Sequence, residues 1–437
     1  MQRFLTLAFV IIWRAVVLLA QTDSRDPDPP VPVIKATVRQ VLVPVVITDK
    51  TGRYVSDLTA PDFSLYEDDV PQKIVAFSRG PISKPEESVA SPETLPPVHR
   101  SALNESPVRT YLICIDTLHS GFDNYARVRK ALKEFFAHEE PGDSQYALFA
   151  LGRELHVLVD STRDPAAILS ALGDKSATKA IHDSEAVNLA NEVQQFVGLV
   201  GTWCGGCQCS SVQMDMANTG CPGYKARVRS ELLSFSERAA ILNETFLRRL
   251  ITLVNAMSSM PTRRTVLFIS DGFNRFAGQE LTTILRAYSV ADPNLTFNQT
   301  DLQPRVNELL KLAVRDNVRF YTLDSRGLYT GSMVPGTGED ASSRGVPQNT
   351  AHAQMSVAWQ NTDALAELAK ATGGAFYENS NDLLRGIRRA FADGREEYVL
   401  AYVPSNTAYD GNFRKITVKI KDKDFNIAAK QGYWANP

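Results

Sequence analysis

Asp116 closes the apolar run Tyr111-Leu112-Ile113-Cys114-Ile115, and Asp271 follows a second run, Thr265-Val266-Leu267-Phe268-Ile269-Ser270. Each run has the length of a strand buried on both faces and is rich in β-branched and aromatic residues. In an open α/β sheet, ligands collect beyond the carboxyl ends of the strands. Two carboxylates at that edge, with the Ser120 hydroxyl beside the first, form a candidate site for Mg²⁺ or another divalent cation, because hard ions take oxygen ligands. Such a site points to binding more than to catalysis. The structural alternative is that Asp116 and Asp271 only cap backbone N–H groups at helix starts. His119 lies in the loop after Asp116 and is expected to be exposed and not a ligand.

Enzymatic signatures are sparse. The chain has no G-x-S-x-G, H-E-x-x-H, Walker A or Rossmann fingerprint. Carboxylates at strand ends could serve a metal-dependent hydrolase through an activated water. None of the 6 histidines has the partner spacing of a second metal ligand or a general base. Asn104, Asn243, Asn294 and Asn298 sit in N-x-S/T triplets, which recur by chance and carry no argument.

Cys204, Cys207, Cys209 and Cys221 form a cluster, whereas Cys114 lies inside the first apolar run and reads as a small core residue. In an oxidising compartment the cluster would form two disulfides, with three pairings open. A zinc or iron–sulfur site is the sharper alternative, since C-x-x-C is metal-ligand spacing. The C-x-C step counts against it, and reduced thiols are the third option.

The elements that would position these residues follow from periodicity. Residues 36–78 contain short alternating strands separated by turns, a small β module. Residues 79–107 are rich in Pro, Ser and Glu and read as a linker. From 108 the pattern becomes strand and helix in alternation. A helix from Tyr125 to about His138, with Asp123 or Asn124 as its cap, follows the Asp116 strand. Gln145–Leu151 and Glu154–Asp160 flank Gly152-Arg153, which favours a hairpin with a two-residue type II′ turn. Asp164-Pro165 starts the next helix. Residues 173–230 are irregular and read as a cysteine-containing insertion. Helices at Ile241–Met257, Val306–Asp316, Asp363–Ala371 and Leu383–Phe391 accompany strands at 265–270, Val318–Asp324 and Tyr398–Val403. The prediction is an α/β domain over 108–403: a doubly wound, mostly parallel sheet with one antiparallel edge strand. The segment 404–437 returns to β character, with Ile427–Tyr433 the expected partner of Phe413–Lys421. By economy, it would pack with 36–78 as a flanking sandwich-like module.

Of 437 residues, 44% are hydrophobic and 22% charged, ample for a large core. A formal net charge of -2 gives no electrostatic reason to expect nucleic acid or an anionic membrane as partner. Residues 1–20 hold Arg3 and then an apolar run ending at Ala20, which reads as a signal peptide followed by a Pro- and Asp-rich linker at 21–35. An uncleaved anchor is the alternative, but Arg14 interrupts the run. No cysteine ends that run, so a lipid anchor is not expected, and no later segment reads as a membrane span. The protein is therefore expected to be secreted or periplasmic.

Strand–Asp-x-x-x-Ser, amphipathic helix, hairpin, strand–Asp-Gly is an order that resembles a von Willebrand factor A (VWA) domain. The segments Val46–Arg53, Asp57-Leu58-Thr59, Asp62-Phe63, Tyr66-Glu67-Asp68 and Pro71–Ile74 are similar to the N-terminal module of exported bacterial VWFA-related proteins, a family described from acidobacteria. Gly411–Ile416 and Gly432-Tyr433 match the family's C-terminal end. The resemblance implies a fold and a manner of binding, not a reaction. Adhesive VWA domains carry a metal-ion-dependent adhesion site of the form D-x-S-x-S, with a later threonine and an aspartate. Asp116, Ser120 and Asp271 match it; Leu118 stands where the first serine should be, and Thr178 is the nearest threonine by order. The resulting expectation is an exported, non-enzymatic binding protein that engages a protein or cell-surface ligand at the top of the sheet, through a degenerate adhesion site. A structural or assembly module with an inactive metal site is the alternative, and a metal-dependent hydrolase the third.

Overall fold

Two unbroken apolar runs become the central pair of strands in a six-stranded sheet. The computed structural model describes residues 40–79, 109–142, 144–176, 189–207, 221–258, 263–290, 299–328, 348–421 and 424–435. The expected signal segment 1–20, the linker 21–35, most of the linker 79–107, Thr178 and Cys209 lie outside the described residues. In chain order the elements are β1 (Val41–Thr48), β2 (Phe63–Glu67), β3 (Val70–Gln72), β4 (Ile74–Arg79), β5 (Arg109–Asp116), α1 (Phe122–Phe136), β6 (Ser144–Leu151), β7 (Leu155–Thr162), α2 (Pro165–Gly173), α3 (Leu189–Cys207) and α4 (Cys221–Ser258). There follow β8 (Arg263–Ser270), β9 (Phe276–Ala277), α5 (Gln279–Ala287), β10 (Thr300–Asp301), α6 (Gln303–Arg315), β11 (Val318–Asp324), α7 (Gln348–Thr372), β12 (Phe376–Tyr377), α8 (Leu383–Arg395), β13 (Tyr398–Tyr402), β14 (Phe413–Ile420), β15 (Asn426–Ala429) and β16 (Gly432–Trp434).

The central sheet has the order β12-β11-β8-β5-β6-β7. Its pairs are parallel except β6–β7, so it is a mixed, mostly parallel sheet with an antiparallel edge. Successive residues of a strand point to opposite faces. Tyr111, Ile113 and Ile115 of β5 share one apolar cluster with Leu132 of α1, Ile168 of α2 and Phe391 of α8. Leu112 and Cys114 share another with Phe196 of α3, Phe246 of α4, Leu309 of α6 and Leu365 of α7. Each such fully buried Leu, Ile or Phe contributes roughly 1.5–3 kcal/mol. That favours apolar residues through the middle of β5, with polar Arg109, Thr110 and Asp116 at its ends. Cys114 is a free, buried thiol in this core.

Several expected elements differ in detail. The hairpin register pairs Leu151 with Leu155, leaving three residues in the turn rather than two. Gly152 also lacks the positive φ that a type II′ turn requires. Helix α1 starts at Phe122 with Gly121 as its N-cap, so neither Asp123 nor Asn124 caps it. The region 173–230 is helical over its described residues, not irregular. Helix α4 runs unbroken from Cys221, well before Ile241. Val228, Leu232, Phe235 and Ala239 continue the buried stripe of Phe246, Leu250 and Val254, and this stripe holds the polar first half in place.

The strand at 398–402 was expected in the central sheet. Instead β13 pairs antiparallel with β1 and β4 in the sheet β15-β1-β13-β4. A second sheet, β16-β14-β2-β3, faces it through a shared core of Val43, Val45, Phe63, Leu65, Leu400, Tyr402 and Ile416. Tyr398 fits there because its hydroxyl donates to Val55 O and accepts from Leu58 N. The tail also divides: β16 pairs with β14, whereas β15 leaves to pair with β1. Lys430, just after β15, is buried and donates to Asn317 Oδ1 at 2.9 Å. Burial, with repulsion from Arg319, pushes it down to about 7.

Helices α3 and α4 are joined by a Cys207–Cys221 disulfide. Cys204 is disulfide-bonded as well. The pair Cys207–Cys221 spans 14 residues, and in the chain-entropy account a loop of this size stabilises by about 3 kcal/mol. Cys207→Ala should therefore lower the free energy of unfolding by about 2–4 kcal/mol in urea titrations. Lys430 makes a pH prediction. Its amine loses its proton near 7 in the folded chain but keeps it to about 10.4 when unfolded. The unfolded state then binds more protons in that window, so stability should rise with pH from about 7 to about 10. Lys430→Met should flatten this rise, read as unfolding midpoints at several pH values.

Candidate functional site

Strands β5, β8 and β11 run parallel and side by side, so their carboxyl ends share one edge. Each presents an aspartate there: Asp116, Asp271 after Ser270, and Asp324. Gly272 follows with φ +88°, and a Cβ at that position would stand 2.3 Å from the carbonyl oxygen of Asn361 on α7. The Asp-Gly step is thus required by a close approach of backbone as well as by a left-handed turn.

Asp116 is fully buried. Its Oδ1 accepts from the backbone N–H of Leu118 at 2.9 Å and of His119 at 3.0 Å. Its Oδ2 meets His119 Nδ1 at 2.8 Å and accepts from Ser270 Oγ at 2.5 Å. A carboxylate has about four lone-pair sites, and here four protein donors take them. Ser120 Oγ accepts from the Asp271 backbone N–H at 3.1 Å, which ties the first loop to the second. Asp271 Oδ2 accepts from Gly121 N at 3.1 Å and Asn124 Nδ2 at 2.8 Å, and its Oδ1 from Ser325 Oγ. Burial raises the Asp271 pKa, opposed by Ser325, Arg326, Asn124 and Gly121. Asp324 holds its neighbour Arg326 through both carboxylate oxygens. The three predicted residues Asp116, Ser120 and Asp271 are therefore gathered in one hydrogen-bonded network.

His119 is not exposed; it is buried, with Phe246 and Phe273 against its ring. Its Nε2 lies 2.9 Å from Asn243 Oδ1 on α4. Both ring nitrogens thus face oxygen acceptors, an arrangement that an imidazolium fills with two N–H donors. Burial opposes that charge, yet the Asp116 carboxylate and the Asn243 hydrogen bond hold His119 above its ordinary value. Glu280 on α5, close enough to feel this ring, is pushed up to about 7 by burial. The nitrogen that a general base would turn to a substrate is occupied by Asn243.

A resident divalent cation of the kind the resemblance implies does not fit these residues as they stand. Asp116 has no free oxygen to offer. Leu118, in the place of the first hydroxyl ligand, is buried in the apolar cluster with Phe246 and Phe273. Four partners in the network were not read from sequence: Asn243, Ser270, Ser325, and Asn124 as a donor rather than a cap. Only Ser270 and Ser325 carried a signal, each lying next to a strand-ending aspartate. A cleft of about 740 Å³, lined among others by Tyr54, Tyr377, Arg385 and Arg388, includes Asp324 but not Asp116, Ser120 or Asp271.

Neither a protein-family model nor a curated protein matches the chain. A solved structure described as an uncharacterized membrane spanning protein from Vibrio fischeri is similar at 13% identity, over 65% of this chain and 97% of that one. Its TM-score of 0.15 is too low to carry an argument about fold or function.

Asp116→Ala would strand two buried backbone N–H groups and a buried imidazole. The expected loss is about 3–5 kcal/mol of unfolding free energy, measurable by urea denaturation, with no compensating effect of added Mg²⁺.

Proposed function

We propose that the chain is an exported, non-enzymatic binding protein built on a doubly wound VWA-type domain. It engages a protein or surface polymer at the carboxyl edge of the sheet without a resident metal ion. The observation that carries this is the pairing of a saturated Asp116 with exposed apolar side chains in the segments that follow the three strand ends. Phe122 (62% exposed), Phe276 (38%) and Leu328 (43%) follow the ends of β5, β8 and β11 in turn. Exposed apolar residues gathered at one edge favour a macromolecular partner. Support for the doubly wound domain comes from the sheet order and from the two apolar clusters that β5 divides between. Support for export comes from the apolar run before Ala20 and from the disulfide. Among the described residues, no helix is long and apolar enough to cross a membrane.

The second reading, a structural module whose partners use another face, is favoured by the same saturation of Asp116. Capture of partners from the native cell envelope separates the two. Capture should survive a chelator and fall about tenfold or more in Phe122→Ala/Leu328→Ala, a loss of about 1.4 kcal/mol. Unchanged capture by that double variant would move the partner to another face. Loss of capture on chelation would restore the metal-dependent form of the site. Leu118→Ser should bring no Mg²⁺ binding in titration calorimetry, since its side chain faces the core.

A further inference from the structure

The opposite rim of the central sheet carries charge of the other sign. Arg109 of β5 pairs in register with Arg263 of β8, and Arg319 of β11 pairs with Thr265, two residues further along β8. Residues in register on parallel strands share a face, and so do residues two apart. The three arginines therefore project on the face of Tyr111, Leu267 and Tyr321. With β8 between β5 and β11, two strand spacings and a two-residue stagger put Arg109 and Arg319 about 12 Å apart at the backbone, and Arg263 lies on the strand between them.

Their partners are too few. Arg109 Nε donates to Gly394 O at 3.0 Å. Arg263 Nη1 and Arg319 Nη1 lie 3.1 and 2.8 Å from the two oxygens of Glu397. Arg319 Nη1 also reaches Tyr321 OH at 3.3 Å. Among the described residues, Arg109 Nη2 and Arg319 Nη2 are buried with no hydrogen-bond partner, and Arg263 Nη1 meets Glu397 off the hydrogen-bond line. Arg109 and Arg319 are only 7% and 5% exposed. The neighbouring acids are committed elsewhere: Asp393 to Tyr54 and Arg389, and Glu139 to Arg395. Three guanidinium groups thus face one carboxylate. Arginine does not deprotonate in proteins, so the imbalance cannot be relieved by titration of the arginines. Lys430 is pushed down by burial first and by the nearby Arg319 second. Buried donors are almost always satisfied, and buried charges are paired.

We propose that these buried donors bind a small inorganic anion, a halide or a small oxyanion, held by Arg109 Nη2, Arg319 Nη2 and the Arg263 guanidinium opposite Glu397. Gly394 and Glu397 flank the step from α8 to β13, where the chain leaves the central sheet for the flanking sheets. The anion would fasten that step to the sheet.

The test is thermal unfolding of the full chain in sodium gluconate, a bulky organic anion, with chloride or phosphate titrated in at constant ionic strength. The midpoint should rise saturably by a few degrees. The rise should vanish in Arg109→Met and Arg319→Met, whatever their own midpoints. Glu397→Gln, which removes the competing carboxylate, should reach half-saturation at a lower anion concentration. Crystals grown in bromide should show an anomalous peak within hydrogen-bond distance of Arg109 Nη2 or Arg319 Nη2. Midpoints that follow ionic strength alone, with no bromide peak, would overturn the proposal and assign those donors to water.

Discussion

A sheet covered on both faces can place charge only at its strand ends, and there it must be exposed or paired. That constraint governs both rims of the central sheet. At the carboxyl rim, Asp116, Asp271 and Asp324 are paired locally, by backbone N–H groups, hydroxyls, an imidazole and a guanidinium. At the amino rim, Arg263 and Arg319 share Glu397, Arg109 holds a backbone carbonyl, and buried donors are left unanswered. The difference has a geometric cause. The segments leaving neighbouring carboxyl ends converge over the edge, so Asp116 finds N–H donors two and three residues on, and Asp271 takes its donors from Gly121, Asn124 and Ser325 of the segments beside it. An arginine entering at the amino end finds only what another segment brings, here the step from α8 to β13.

The two flanking sheets follow from a different economy. Strands from both ends of the chain pair directly, Thr48 with Asn426 and Ile416 with Glu67. Loop-closure entropy grows slowly, by about 0.6 kcal/mol for each doubling of length. Enclosing a whole α/β segment between paired strands is thus a modest cost against a shared apolar core. Glu67 marks how tightly the ends are tied: its buried Oε2 accepts from Tyr402 and from Tyr433, one from each sheet. The turn at Asp49–Arg53 anchors the module to α8, where Arg389 donates to Gly52 O and stacks on Tyr54.

Much of this was legible in the residues. Apolar runs named β5 and β8, and parallel strands share a carboxyl edge, so Asp116, Ser120 and Asp271 could be placed together from sequence. The environment of Asp116 could not. Its decisive partner, His119, sits in a loop, a position that argues for exposure. What meets its ring is Asn243, 124 residues away on a helix that periodicity does place; the pairing itself leaves no signal in the sequence. The edge strand β12 pairs through two residues only, too short for any periodic signal. β13 has the apolar character of a central strand, and only its neighbours decide which sheet takes it.

The saturation of Asp116 also bears on how the carboxyl edge can recognise anything. A carboxylate that leaves its protein donors for a ligand must abandon a buried histidine and two backbone N–H groups, and few external contacts repay that. The network is better placed as a fixed frame. It joins the loop Thr117–Gly121 to Asp271 and, through Ser325, to the loop after β11, so three successive loops hold one geometry. A surface held in that way loses little conformational freedom when a partner docks, and that saving goes into affinity. Phe122, at the first turn of α1, and Leu328, just past Ser325, stand on the loops so fixed. Recognition by apolar side chains on a rigid polar frame needs neither a metal ion nor a moving part.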